Sequence, residues 1–260
     1  MKKFVFTAGL PRAGSTLLAT ILKQNPNIGA SISGPLARFV RSIIQESSAQ
    51  SGYRFECPPE MNKKLIEGLF DTYHNEPDKS VYFNHNRGWP LLLPTIKDLY
   101  PTSKIILCVR DVEWILDSFE TLQRNNPYTN TTMFSADEST NVYTRCEALL
   151  NPGRTLGFAY AAVKQAMFSE YRSSIMLVEY DKLAKTPEAI LKSIYSFIDE
   201  PYFAHNFNDA EASYEEFDND VQLPGLHTTR KIVGFIPRQT VLPPDILNMV
   251  RSNFPSIWKK

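Results

Sequence analysis

The sequence predicts an α/β fold, a three-layer sandwich whose central parallel sheet is covered by helices on both faces, and three observations carry that prediction. Short β-type apolar runs alternate with longer stretches of helical period along the chain, the order that feeds a parallel sheet. The 260 residues are 43% hydrophobic and 22% charged, ordinary globular proportions, and a chain of this size buries roughly 70% of its unfolded surface without a disulfide or metal staple. No repeat of solenoid or propeller length breaks the pattern. One domain over residues 1–260 follows, with an irregular C-terminal segment at about 202–243.

The elements are placed in order by their periodicity. Strands are expected at Phe4 to Ala8, Ile28 to Ile32, Val81 to Asn84, Lys104 to Val109 and Ile175 to Glu179. Between them, Leu17, Leu18, Ile21 and Leu22 share one helical face. So do Leu36, Phe39, Val40, Ile43 and Ile44, and then Leu65, Ile66, Leu69, Phe70 and Tyr73. Leu156, Ala159, Val163, Ala166 and Met167 mark a long helix, and Ile190, Leu191, Ile194, Tyr195 and Ile198 another. Residues 125–141 are polar and rich in turn formers, which reads as a long surface loop, a lid or a disordered stretch. The 202–243 segment carries an acidic run from Asp209 to Asp220, normally a solvated face or a contact for a cationic acceptor, and is a candidate cover for a site.

Charge and cysteine usage narrow the function. With 28 basic and 28 acidic side chains, the chain lacks the field of a general nucleic-acid binder. Cys57, Cys108 and Cys146 are few, distant and without metal-ligand spacing, so neither a disulfide framework nor a zinc site is expected, and a cytoplasmic, reducing location is. Phe4-Val5-Phe6 is too short for a signal-peptide core, and no run of about 18 apolar residues exists to span a membrane. The Asn130-Thr131-Thr132 sequon then reads as a chance match.

Directly after the first strand comes Gly9-Leu10-Pro11-Arg12-Ala13-Gly14-Ser15-Thr16, leading straight into the first amphipathic helix. This is a P-loop-like strand-loop-helix. The glycines let successive amides and the helix N-terminus point at one place, which suits a phosphate or sulfate. A nucleoside-triphosphatase loop needs lysine after the second glycine, and here that position is Ser15. Arg12 sits inside the loop, where a fixed cation faces the same anion. An ordinary βα turn with an exposed arginine is the bland alternative.

The fourth strand delivers Arg110-Asp111 at its C-terminal end, the edge where open α/β sheets bind ligands, and Ser118 follows about two helical turns later. Read alone, Arg110 also suits an ion pair with Asp111, and Ser118 a solvated helix position. Tyr180, in Val178-Glu179-Tyr180-Asp181-Lys182-Leu183, suits half-buried core or an aromatic surface for a base.

Together, Pro11-Arg12-Ala13-Gly14-Ser15-Thr16, Val109-Arg110-Asp111 with Ser118, and Tyr180-Asp181-Lys182-Leu183 with Pro187 resemble the signatures of sulfotransferases that use 3′-phosphoadenosine 5′-phosphosulfate (PAPS). The arginine in the first loop resembles the tyrosylprotein and glycan sulfotransferases. The resemblance implies transfer of a sulfuryl group from PAPS to a hydroxyl or amine of a small-molecule, glycan or peptide acceptor, leaving PAP, with no metal. By the same resemblance Arg12, Ala13, Gly14, Ser15 and Thr16 hold the 5′-phosphosulfate, Arg110 and Ser118 hold the 3′-phosphate, and Tyr180 belongs to the nucleotide site. Arg230-Lys231 resembles an Arg-Lys pair that also meets the 3′-phosphate.

Positioning and charge neutralisation dominate such a transfer, by analogy with phosphoryl transfer, and Arg12 with the loop amides supplies both. The acceptor still needs a base. The glutamate that tyrosylprotein relatives carry after the second strand is absent, since Ile32 is followed by Ser33-Gly34-Pro35. His85, just past the third strand, is the preferred base, because imidazole titrates near neutrality. A loop histidine with one backbone hydrogen bond is the alternative, and Arg87 suits a substrate anchor. His227 leads the remaining histidines, His74 and His205 following. A P-loop small-molecule kinase and a non-catalytic nucleotide-binding domain are the competing functions.

Overall fold

The computed structural model describes residues 2–259. Along the chain it places β1 (Lys3–Gly9), α1 (Ser15–Leu22), β2 (Ile28–Ala30), α2 (Leu36–Glu46), α3 (Pro59–Tyr73), β3 (Val81–His85), α4 (Leu93–Leu99) and β4 (Lys104–Val109). There follow α5 (Val112–Asn125), α6 (Val142–Leu150), α7 (Thr155–Met167), β5 (Ile175–Glu179), α8 (Tyr180–Lys185), α9 (Pro187–Phe197), α10 (Glu215–Asp220) and α11 (Pro244–Asn253).

The five strands form one parallel sheet in the order β2-β3-β1-β4-β5. Nearly every residue of β1, β3 and β4 is buried in succession, without alternation, so both faces of the sheet are covered. The register matters for function. Thr7 pairs with His85, Gly9 with Cys108, and Val109 with Glu179, so the chain exits of β1, β3, β4 and β5 gather on one edge. β2 stops at Ala30, two residues before the expected Ile32. Ser31 still donates to the Phe83 carbonyl at 3.0 Å, after which Gly34 turns back to the His85 carbonyl at 2.9 Å.

The core beneath this edge is aromatic. Phe6 meets Trp89 edge-on at 4.9 Å between centroids, and Phe4 and Phe70 pack beside them. Buried Trp89 donates its indole N–H to the backbone and side-chain oxygens of Asn84 at 3.1 and 3.0 Å, fixing the end of β3. Satisfied buried polar groups of this kind hold a strand exit in one place.

Residues 125–141 are a surface loop with definite anchors. Thr131 Oγ1 donates to the Val221 carbonyl at 2.6 Å, and Arg145 donates to the Ser139 carbonyl at 2.7 Å. Arg154 pairs with Glu138. The 202–243 segment folds back on itself: Ala212 and Thr229 form an antiparallel bridge, and Ala210 N–H donates to the Lys231 carbonyl at 2.7 Å. Its acidic run is not a uniform solvated face, because Asp218 in α10 turns inward and is only 2% exposed.

Candidate active site

The loop after β1 is shaped by two glycines. Gly9 has φ 125°, and a Cβ there would lie 2.0 Å from the Cys108 carbonyl oxygen, so only glycine lets β1 and β4 approach. Gly14 has φ 89° and caps α1, and a Cβ would press on the Tyr180 ring at 2.9 Å. Between them Arg12 is held left-handed at φ 56°, a strained backbone in a loop that faces a cleft. The first α1-type bond runs from Leu18 N–H to the Gly14 carbonyl at 2.9 Å, so the amides of Ser15, Thr16 and Leu17 have no intrahelical acceptor. Those three residues line the cleft, with the positive end of the helix dipole behind them. Ala13 is fully buried beneath the loop.

Two arginines stand on the β4 side. Arg12 Nε donates to Ser118 Oγ at 3.1 Å, and its NH1 donates to the Leu226 carbonyl, so the second irregular segment clamps the loop. Burial, then the nearby Arg110 charge, pushes the Arg12 guanidinium down to about 10, which leaves it charged at neutral pH. Arg110 lies over the Tyr180 ring at 4.2 Å, and its NH1 donates to the Arg12 carbonyl at 3.3 Å. Among the described residues its buried Nε has no partner. The expected alternative, an Arg110–Asp111 ion pair, is absent: Asp111 accepts from Ser256 Oγ at 2.5 Å and Lys259 Nζ at 2.6 Å. Sequence reasoning missed Arg238, which pairs with buried Asp117 and adds positive charge near Arg12 and Arg110.

The opposite wall comes from β3 and the 202–243 segment. His85 is 6% exposed, with Nδ1 3.2 Å from Thr7 Oγ1. Burial, then the charge of Arg87, pushes it down to about 3. Arg87 lines the cleft beside it. His227 Nδ1 lies 2.7 Å from Asp218 Oδ1. Arg230 lines the cleft and donates to the Gly234 carbonyl at 2.7 Å, whereas exposed Lys231 lies outside the cleft lining. His74 bonds to Asn84 and His205 to Tyr195, both away from the cleft.

The cleft has a volume of about 520 Å³. Among the described residues its lining includes Arg12, Arg87, Arg110 and Arg230 and no carboxylate, an arrangement that holds a polyanion. Leu17, Ile32, Phe119, Met133 and Phe217 give it an apolar share. Also among the described residues, no group of three His, Cys, Asp or Glu is placed to hold a metal ion, and no helix is long and apolar enough to cross a membrane.

Known proteins are similar to this chain. A Caenorhabditis briggsae protein named "Putative protein-tyrosine sulfotransferase" is 22% identical over 94% of this chain and 90% of its own. The sulfotransferase domain from the curacin biosynthetic pathway superposes with a TM-score of 0.57 at 13% identity, covering 97% of both chains. Retinol dehydratase in a complex with retinol and PAP superposes at 0.51 and 13% identity, over 97% of this chain and 80% of that one. These solved structures share the fold. The model described as "Sulfotransferase family" matches residues 5–204, from β1 through β5 and beyond α9, and on that match the chain belongs to the sulfotransferase family.

Proposed function

We propose that this sulfotransferase, read as one domain over 1–260, moves a sulfuryl group from PAPS to a hydroxyl or amine acceptor, releasing a sulfate ester or its amine counterpart and PAP. The single observation that carries the choice of donor is the pair of anion sites in one cleft: the open amides of Ser15, Thr16 and Leu17 beside Arg12, and the buried, unpartnered Nε of Arg110. PAPS is a nucleotide with a phosphosulfate at one end and a second phosphate at the other, and when bound it supplies an activated sulfuryl group. The residues fit both ends.

Arg110, placed over the Tyr180 ring, would meet the 3′-phosphate with its guanidinium, and Arg230, in the same lining, would add charge there. Lys231 is assigned no contact. Arg12 and the α1 amides neutralise charge at the 5′ end, and Ser118 accepts from Arg12 and so fixes that guanidinium. The protein's contribution is therefore position and charge, with no metal required. The acceptor is a small molecule, glycan or peptide; the similarity to the tyrosine-directed relative supports a phenolic probe. The free cysteines Cys57, Cys108 and Cys146 suit a cytoplasmic enzyme.

The test is incubation with sulfur-labelled PAPS in EDTA with a panel of a phenol, a tyrosine peptide and an amino sugar. Label should enter at least one acceptor, with one PAP released per ester. Label transfer from PAPS to none of them, with no PAP binding, would overturn the donor assignment.

A further inference from the structure

We propose that His227, oriented by Asp218, is the general base that takes the acceptor's proton, in place of His85. The proposal rests on the sulfuryl-transfer reading above. Among the described residues the cleft lining holds no carboxylate, so the side chains there whose ordinary titration lies near neutrality are His85 and His227.

Their surroundings differ. The Asp218 carboxylate accepts the His227 backbone N–H at 3.1 and 3.0 Å and faces ring Nδ1 at 2.7 Å, so one buried acid fixes both backbone and ring. Phe217 packs edge-on against that ring at 4.6 Å between centroids. With the proton on Nδ1, facing the carboxylate, the lone pair sits on Nε2. An acid so placed selects the tautomer and stabilises the imidazolium as it forms, as it does in hydrolase triads. Among the described residues the His85 ring has only the Thr7 hydroxyl as partner, and Arg87 stands beside it, which opposes a second positive charge.

Position agrees with this assignment. Leu226, whose carbonyl accepts from Arg12, is the residue before His227. The dyad is thereby tied to the guanidinium at the phosphosulfate end of the cleft, far along the chain from the loop it serves. The groups facing His227 are Asp218, which favours its protonated form, and Arg12, Arg87 and His85, whose charges oppose it. Burial is the largest influence and holds the ring neutral near pH 7, the form a base needs. In the step itself the acceptor oxygen bonds to sulfur while His227 Nε2 takes its proton. The bond from sulfur to the 5′-phosphate oxygen breaks with its electron pair on that oxygen, beside Arg12. The imidazolium then returns the proton to solvent.

Two measurements on the full chain test this. The chain has four histidines, so long-range proton–nitrogen NMR of the PAP-bound protein, assigned with single His→Gln variants, reports each tautomer. His227 should be neutral near pH 7.5 with its proton on Nδ1, and Asp218→Asn should move that proton toward Nε2. With unsubstituted phenol as probe acceptor, which like tyrosine keeps its proton near pH 7.5, His227→Gln should lose about a hundredfold or more in transfer while its PAP affinity stays within about threefold, and His85→Gln should lose much less. A His227 proton on Nε2 in the wild type, near-normal transfer by His227→Gln, or the larger loss in His85→Gln overturns the proposal. Absence of PAP binding by the wild type would sink the donor reading instead, and if phenol is not a substrate the tautomer result decides alone.

Discussion

Replacing Arg110 by alanine removes the guanidinium that lies 4.2 Å over Tyr180 and leaves the buried Nε position without a donor. A hydrogen bond to a charged group contributes about 1.5 to 3 kcal/mol, so PAP should bind about tenfold to about 150-fold more weakly. Adenosine 5′-phosphate separates this from general damage, because it would occupy the same cleft without a 3′-phosphate. Its affinity should change by less than about threefold, so the preference for PAP collapses in the variant. Arg110→Lys should recover only part of the loss, since lysine keeps the charge but not the fixed fork. Isothermal titration of both nucleotides in EDTA is the assay. Equal losses for the two would show that Arg110 acts through its bond to the Arg12 carbonyl, by shaping the loop, and no loss would remove the 3′-phosphate contact altogether.

Three further outcomes follow from the same geometry. Arg12→Ala should cut turnover by about a hundredfold to a thousandfold, the scale for losing a donor to a developing anion, and PAP affinity by less than about tenfold; a large loss of affinity with kcat unchanged would mean uniform binding instead. Gly9→Ala should destabilise the fold by about 2 to 5 kcal/mol, combining a forbidden backbone angle with a clash at the Cys108 carbonyl, and an unchanged urea midpoint would contradict the contact. His74 and His85 are held down to about 4 and about 3, below the ordinary 6.5, chiefly by burial. The unfolded chain therefore binds more protons in acid. Their stabilisation is complete above pH 6.5 and is lost as pH falls from there, down to about 4 for His74 and about 3 for His85, by up to about 1.4 kcal/mol per pH unit for each group. Urea midpoints measured down that range should decline, and the His74→Gln, His85→Gln double variant should flatten the slope.

What the sequence made legible was local. β1, β3, β4 and β5 are short apolar runs with clear ends, and the loop from Gly9 to Thr16 announces itself by glycines between a strand and a helix. Arg110 was visible because it follows a strand directly. The 202–243 segment was not, since its shape comes from distant pairings such as Ala212 with Thr229 and Leu226 with Arg12, which leave no periodic trace. Asp218 sits in an acidic run whose composition points to solvent, and only its bonds to His227 turn it inward. Likewise the expectation of His85 as base followed strand position, whereas the acid that faces His227 Nδ1 lies nine residues away on α10 and is not marked by any local pattern.

The most direct measurement of donor recognition is the stability of the wild-type protein in EDTA with PAP, alongside ATP with magnesium. At a hundred times its dissociation constant, PAP should raise the unfolding free energy by roughly 2.7 kcal/mol, while ATP with magnesium should have far less effect because the loop has Ser15 where a triphosphate loop needs lysine. Stabilisation by ATP with magnesium and none by PAP would contradict the assignment of this cleft to a 3′-phosphorylated sulfate donor.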